Sequence, residues 1–357
     1  GYLSLSRVQR LMSAAHGGQV LVSLAAQELV RDDLPENVSL RDMGERRLKD
    51  LIRPEHIFQL VIANLPVDFP PLRTLDIYRH NLPTQLTTFI GREKEMAKIG
   101  QAITEHRLVT LTGAGGTGKT RLSLHVAADL LDHFPDGVWF VELAPLTDPE
   151  LIPSTILFAF GIGEQPGLTS LQLLTDYLRK RKLLLVLDNC EHLVTETAKL
   201  AMTLLNGAEN LKILATSREA LGITGEINWY VPSLSLPDIK HIPEMEELSQ
   251  YEAVNLFIDR AILAQPHFAV TRENTPAIAQ ICYRLDGIPL AIELAAARVK
   301  ALDVDQISRR LDDRFHLLTG GSRSSLPRHQ TLRATIDWSY DLLTDQEKIL
   351  FRRLAVF

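Results

Sequence analysis

The chain is 357 residues long, 45% of them apolar and 23% charged, with a formal net charge of −6. That length is too great for one ordinary core and predicts two or three domains of a soluble globular protein. No apolar run approaches the roughly 18 residues a membrane helix requires, and no basic block offers a broad nucleic-acid surface, so both partner classes are disfavoured.

Residues 1–62 mix a helical stretch with two strand-like pieces, "GGQVLVS" and "HIFQLV", around a polar segment rich in Arg, Asp and Glu. The opening "GYLSLSRVQRLMSAAHGG" lacks an initiator Met and a signal-peptide layout, so the chain is read as a cut through a larger protein, truncated at both ends. Residues 63–88 carry Pro66, Pro70, Pro71 and Pro83. Each proline fixes one backbone angle and turns its predecessor away from helix, which predicts an extended connector. From 89 to 240, the runs "RLVTLTG", "GVWFVEL", "KLLLVLDN" and "LKILATS" alternate with helical stretches, the pattern of a parallel α/β sheet. After Thr120, Leu122, Val126, Ala127, Leu130 and Leu131 recur at helical spacing and are expected to pack on that sheet.

Residues 241–320 read as a small all-helical domain. "LSQYEAVNLFIDRAILA" offers Ser249 and Glu252 as a capping box and Val254, Phe257, Ile258, Ala261 and Ile262 as one apolar face. "PLAIELAAARVKAL" and "DVDQISRRLDD" supply two further helices. The loop "TGGSRSSLPRHQ" leads to "TLRATIDWSYDLL" and "TDQEKILFRRLAVF", the latter with Thr344 and Glu347 as a second capping box, so residues 321–357 are expected to begin a third module. The two cysteines, Cys190 and Cys282, lack metal-ligand spacing and are expected to serve packing in a reducing, cytoplasmic setting.

The chemistry concentrates at Gly113-Ala114-Gly115-Gly116-Thr117-Gly118-Lys119-Thr120, between the strand "LVTLT" and a helix running from Arg121. This is the full G-x-x-x-x-G-K-[ST] pattern in its strand–loop–helix setting. Its glycines let backbone N–H groups curl around phosphate oxygens at a helix N-terminus. Lys119 is suited to neutralise the outer phosphates, and the Thr120 hydroxyl to hold Mg2+. Asp188 ends the strand "KLLLVLD" and is read as the magnesium partner on a neighbouring strand, acting directly or through water. Hydrolysis also needs a group to orient water. Asn189 can position water without acting as a base, and Glu191, read as an exposed loop acid, is the nearest alternative. That set allows slow or conditional hydrolysis. Arg218, just past "LKILATS", is placed where a guanidinium could reach a γ-phosphate, the alternative being a solvated surface charge. Pro289 of "GIP" opens a helix as an ordinary first-turn residue. No Asn-Lys-x-Asp box of the kind that reads guanine is present, which favours adenine and hence ATP or ADP with Mg2+.

Six stretches, "FIGREKEM", "TGAGGTGKTRL", "LLLVLDNCEHL", "LATSREAL", "LDGIPLAIELAAARV" and "TLRATIDWSYDLL", stand in the order seen in STAND-type signalling ATPases. Over residues 82–357 the sequence resembles the AfsR-like bacterial regulators related to the NB-ARC group. The resemblance implies a P-loop domain, a helical lid and a winged-helix domain clasping the nucleotide, with ADP holding a closed state and ATP favouring an open one. It further implies that Arg92 lies by the nucleotide, that Pro289 contacts the adenine, that Arg218 senses the γ-phosphate and that Trp338 belongs to the winged-helix core. Asn189 stands where a second acid often occurs, which implies weak turnover. Residues 1–62 resemble instead the C-terminal tail of a class III adenylate or guanylate cyclase domain, through "SRVQRLMSAAHGGQVLVS" and "LRDMGERRLKDLIRPEHIFQLV". The Asn and Arg with which that family stabilises the transferring phosphate correspond here to Ser6 and Arg10. Ser6 lacks the amide, and the metal-binding acids would lie upstream of Gly1, so no cyclase activity is expected of this stretch.

The leading expectation is an ATP-dependent conformational switch in signal transduction. The alternatives are a cyclic-nucleotide-forming enzyme regulated by the ATPase module, and a DNA-binding regulator using residues 331–357, where Arg333, Lys348, Arg352 and Arg353 supply the basic charge. The expected partners are the protein's own cyclase half, a C-terminal sensor domain and further copies in an ATP-dependent self-association. Neither DNA nor membrane is an expected partner of this stretch.

Overall fold

The computed structural model describes residues 2–31, 33–46, 48, 54–63, 65–70, 72, 74, 79–238, 248–311, 340 and 345–354. The N-terminal unit contains α1 (Tyr2–Ala14), β1 (Leu21–Ser23), α2 (Leu24–Val30), β2 (Val38–Arg46) and β3 (Glu55–Ile62). Its sheet is antiparallel in the order β1-β3-β2. The polar segment between the two expected strands is thus itself a strand, paired with β3 from Val38↔Ile62 to Arg46↔Glu55. As the edge of a sheet covered on one side, β2 needs few apolar residues, so its composition hides it.

The α/β unit has a five-stranded, wholly parallel sheet of β4 (Leu108–Thr112), β5 (Val138–Glu142), β6 (Leu184–Asp188), β7 (Lys212–Thr216) and β8 (Glu226–Tyr230) in the order β5-β6-β7-β4-β8. Every residue of β4 and β6 is buried, because helices cover both faces of the sheet. Leu184 and Val186 of β6 join one core with α3 (Glu93–Glu105) and α4 (Lys119–Asp129). Leu185 and Leu187 join the opposite core with α5 (Ile152–Ala159), α6 (Ser170–Leu178) and α7 (Val194–Gly207). Leu122, Val126, Ala127, Leu130 and Leu131 are all buried in the first of these. Strand β8 escaped the sequence reading because "EINWY" is an edge strand whose residues are only partly covered. Part of the expected connector is held against the other edge: His80 bridges to Val138, and Asn81 exchanges hydrogen bonds of 2.8 and 2.6 Å with the Phe140 backbone.

The helical unit packs α8 (Glu252–Ala264), α9 (Thr275–Arg284), α10 (Pro289–Ala296) and α11 (Val304–Arg310) around Val254, Phe257, Ala261, Ile278 and Ile292. The apolar face of α8 is narrower than its sequence suggests: Ile262 is exposed and Ile258 only partly buried. Ser249 is not at the N-cap position that the expected capping box requires. Tyr251 is the N-cap and Glu252 the first helical residue, too early to reach back to the cap as a third-position acid does. Of the expected winged-helix start, Tyr340 and α12 (Asp345–Leu354) are described; Arg333, Trp338 and Thr344 lie outside the described residues. Among those residues no helix is long and apolar enough to cross a membrane.

Candidate nucleotide-binding site

The buried strand β4 delivers the chain into the loop Gly113–Gly118, and α4 begins at Lys119. Gly113 and Gly116 have positive φ, 149° and 81°, and both are crowded. A Cβ at Gly113 would lie 3.0 Å from the Val231 carbonyl oxygen, and one at Gly116 would lie 3.1 Å from Leu290 Cβ. Conformation and space therefore both demand glycine. Thr117 Oγ1 donates to the Ala114 carbonyl at 2.9 Å and braces the loop from within. Lys119 Nζ donates to the carbonyls of Gly113 at 2.8 Å and Ala114 at 3.0 Å. Burial pulls the Lys119 pKa down, with the negative charge of Glu191 opposing.

Asp188 is not on the strand next to the phosphate loop, as expected, because β7 lies between β4 and β6. Thr216, the last residue of β7, fills that gap. Its hydroxyl donates to Asp188 Oδ1 at 2.6 Å, and Thr120 Oγ1 donates to the same oxygen at 2.8 Å. Asn189 Nδ2 donates to Asp188 Oδ2 at 2.5 Å. Burial nevertheless raises the Asp188 carboxyl to about 6, outweighing the hydroxyl donors, and the neighbouring charges of Glu142 and Glu191 push it the same way. Thr216 and Glu142 were both missed in the sequence. Each ends a parallel strand, the edge where ligands gather in open α/β sheets, and that position was the signal that could have found them.

Asn189 adopts a left-handed conformation (φ 62°), and a short helical turn at Cys190–His192 follows. The turn carries Glu191 inward: its side chain is 6% exposed, and Oε1 lies 3.6 Å from Arg218 Nε. Glu191 is therefore a buried acid and not an exposed one, and its Oε2 finds no hydrogen-bond partner among the described residues. Arg218 is turned toward Glu191 and is not among the residues lining the cavity. Only 22% of its side chain is exposed, so it is not a merely solvated surface charge. Cys190 and Cys282 are free and fully buried, and burial pushes both thiols up.

A cavity of about 320 Å³ runs from this polar end to an apolar one formed by Phe89, Ile90, Leu234, Leu256, Pro289 and Leu290. Arg92 sits beside it at 3% exposure and in a left-handed conformation (φ 67°). Its backbone N–H donates to Glu252 Oε1 at 2.6 Å and its Nη2 to the Pro232 carbonyl at 2.8 Å. Burial lowers its pKa, with Glu252 opposing. Pro289 opens α10, and the next residue donates from Leu290 N to the Gly116 carbonyl at 3.2 Å, so the helical unit touches the phosphate loop directly. Arg121 also lines the cavity, and it bonds Glu293 of α10 at 3.1 Å and the Thr87 carbonyl at 2.9 Å. Arg260 of α8 reaches the same Glu293 oxygen at 3.0 Å. Ser6 and Arg10 lie on α1, in the N-terminal unit and not in the unit that carries the phosphate loop.

The donor set fits a nucleoside phosphate with Mg2+. The glycine cradle suits phosphate, the hydroxyl–carboxylate pair of Thr120 and Asp188 suits a hard cation sharing phosphate and water oxygens, and the apolar end suits a base. No group of three His, Cys, Asp or Glu side chains among the described residues would hold a metal unaided, so such a cation depends on the phosphates.

Residues 103–222 match the family described as AAA domain. A Mycobacterium tuberculosis protein named as an HTH-type transcriptional regulator is 48% identical over 255 residues, 71% of this chain and 27% of that protein. An uncharacterized protein of the same organism is 40% identical over 279 residues, covering 78% of this chain and 68% of its own length. The regulatory protein AfsR of Streptomyces griseus is 28% identical over 93% of this chain and 32% of its length. The chain thus spans about a quarter of the length of the first curated relatives it matches. A solved STAND protein with a tetratricopeptide repeat sensor from Pyrococcus horikoshii covers 75% of this chain and 35% of its own at 17% identity, with a TM-score of 0.38. Given the phosphate loop, the parallel sheet and the mycobacterial matches, the chain belongs with those proteins among the P-loop NTPases that carry an AAA domain and is homologous to the AfsR-like regulators.

Proposed function

We propose that the chain is an ATP/ADP-binding switch with slow or conditional hydrolysis, working inside a bacterial multidomain regulator. The observation that carries this reading is the direct contact of the helical unit with the phosphate loop, from Leu290 N to the Gly116 carbonyl, beside the Arg121–Glu293 ion pair. What fills the cavity is therefore felt by both units. Gly113–Gly118 would wrap the phosphates, and Lys119 would exchange its two loop carbonyls for phosphate oxygens. Thr120 and Asp188 would hold Mg2+, which supplies neutralisation of phosphate charge. Phe89, Pro289 and Leu290 would receive the adenine, with Arg92 bracing the loop beside it. Moving such a switch from mostly closed to mostly open takes roughly 5.5 kcal/mol of differential binding. A charge-assisted hydrogen bond contributes about 1.5–3 kcal/mol, so about two to four γ-phosphate contacts are needed, and Lys119, Mg2+ and an Arg218 released from Glu191 would supply most of them.

The test is to purify the protein without added nucleotide, denature it, and identify what is released by ion-pair chromatography, with Lys119→Ala alongside. Stoichiometric ADP from the parent and none from Lys119→Ala is the expected result. An empty parent that turns ATP over steadily would mean an ordinary ATPase and would refute the switch.

A second reading, sequence-specific DNA binding by the whole protein, is favoured by the name of the 48%-identical mycobacterial relative. It predicts salt-sensitive binding by a longer chain. The cyclase-like tail at residues 1–62 is kept as part of the proposal, with Ser6 in place of the expected amide. It predicts weak or absent cyclic-nucleotide formation by the full-length protein, and brisk formation would refute that assignment. The cyclase half, a sensor domain and ATP-dependent self-association remain the proposed partners.

A further inference from the structure

We propose that Glu142, and not Glu191 or Asn189, is the group that orients the attacking water, an inference that rests on the nucleotide-binding reading above. Glu142 ends β5 and pairs in register with Asp188, which ends β6. Paired residues on adjacent parallel strands lie about 4.8 Å apart and project to the same side of the sheet. The carboxyl edge thus carries a row of polar groups: the phosphate loop after β4, Thr216 on β7, Asp188 on β6 and Glu142 on β5. Glu142 lines the same cavity as Lys119 and Thr120.

Both rival groups line the cavity too, but each is already tied to a neighbour, and the second Glu191 oxygen is buried. The Asn189 amide is committed to Asp188 Oδ2, and Glu191 faces the Arg218 guanidinium. No hydrogen bond or ion pair to another described residue occupies the Glu142 carboxylate, so its oxygens are available to a water. A carboxylate in that position accepts one proton of the water while the water oxygen bonds to the γ-phosphorus. The bond from that phosphorus to the β–γ bridging oxygen breaks, ADP departs with the electron pair, and the proton passes on to the released phosphate. Glu191 is left with a different task, holding Arg218 in place.

Glu142→Gln, Glu142→Asp, Glu191→Gln and Lys119→Ala are to be compared with the parent chain. Each is scored for affinity toward a fluorescent ATP analogue, for single-turnover cleavage of ATP, and for the nucleotide recovered from the protein after incubation with ATP and Mg2+. Glu142→Gln should bind the analogue within about threefold of the parent, cleave ATP roughly 100-fold more slowly, and yield ATP where the parent yields ADP. Glu142→Asp, which keeps the charge and shortens the reach, should recover part of the cleavage, and Glu191→Gln should lose less than about tenfold. Parental cleavage by Glu142→Gln overturns the inference, as does a loss of cleavage matched by an equal loss of affinity. A parent chain that binds no analogue, with Lys119→Ala indistinguishable from it, would overturn the proposed function as well.

Discussion

Replacing Gly287 with alanine should loosen the helical unit from the phosphate loop, by an amount that the local geometry sets. Gly287 has φ +64°, and a Cβ there would stand 2.4 Å from the Leu234 carbonyl oxygen. The left-handed conformation costs a non-glycine residue about 1–2 kcal/mol. The obstacle is backbone, so no rotamer change relieves it. The segment after β8 and the Gly287 loop must separate, losing the bond from Leu234 N to the Gly287 carbonyl at 3.0 Å, which contributes about 1 kcal/mol. The total is about 2–3 kcal/mol, and the neighbouring contact of Leu290 N with the Gly116 carbonyl is strained with it. Two other glycines calibrate the figure. Gly222 also has positive φ (+73°) but open space around its Cβ position, and should cost only the conformational part, about 1–2 kcal/mol. Gly163 has open space and no positive φ, and its alanine variant should be neutral or stabilising by up to about 1 kcal/mol. Urea denaturation of the three variants reads the series, and fluorescent-nucleotide affinity reads its effect on the site. If Gly287→Ala costs no more than Gly222→Ala, the tight junction between the two units is refuted.

Glu293 accepts from both Arg121 and Arg260, and its side chain is about one-third exposed. Glu293→Gln should therefore destabilise by about 1–2 kcal/mol, less than a fully buried ion pair would, and should weaken nucleotide binding; an unchanged denaturation midpoint would show that the pairs contribute nothing. Asp188 has its folded-state carboxyl raised to about 6, above the ordinary value of about 3.9. The folded state then binds the proton more tightly than the unfolded one, so the nucleotide-free protein loses stability as pH rises from 4 to 6 and stays lower above that. Asp188→Asn should remove this dependence and stabilise the nucleotide-free chain at pH 7 by at most about 3 kcal/mol, while abolishing the Mg2+ dependence of nucleotide affinity. A variant less stable than the parent at pH 7 would show that the three donors around Asp188 outweigh its burial.

What the residues announced by themselves was what depends on neighbours close in the chain. The phosphate loop was legible because its cradle is one contiguous stretch from Gly113 to Thr120, and β4 and β6 were legible because a strand buried on both faces reads as a near-continuous run of leucine and β-branched residues. The inward face of α4 followed from helical spacing alone. Edge strands β2 and β8 stayed hidden because their polar residues face solvent. The surroundings of Asp188 were decided by strand order, which interposes β7 and brings Thr216 to within 2.6 Å of a carboxylate 28 residues away. The same holds for Glu142, for Glu191 facing Arg218, and for Glu252 reaching Arg92 across 160 residues. Local periodicity specifies an element and the face it buries, but which chain ends meet at the carboxyl edge of the sheet is settled only when distant strands pair, and a single sequence carries no local trace of that choice.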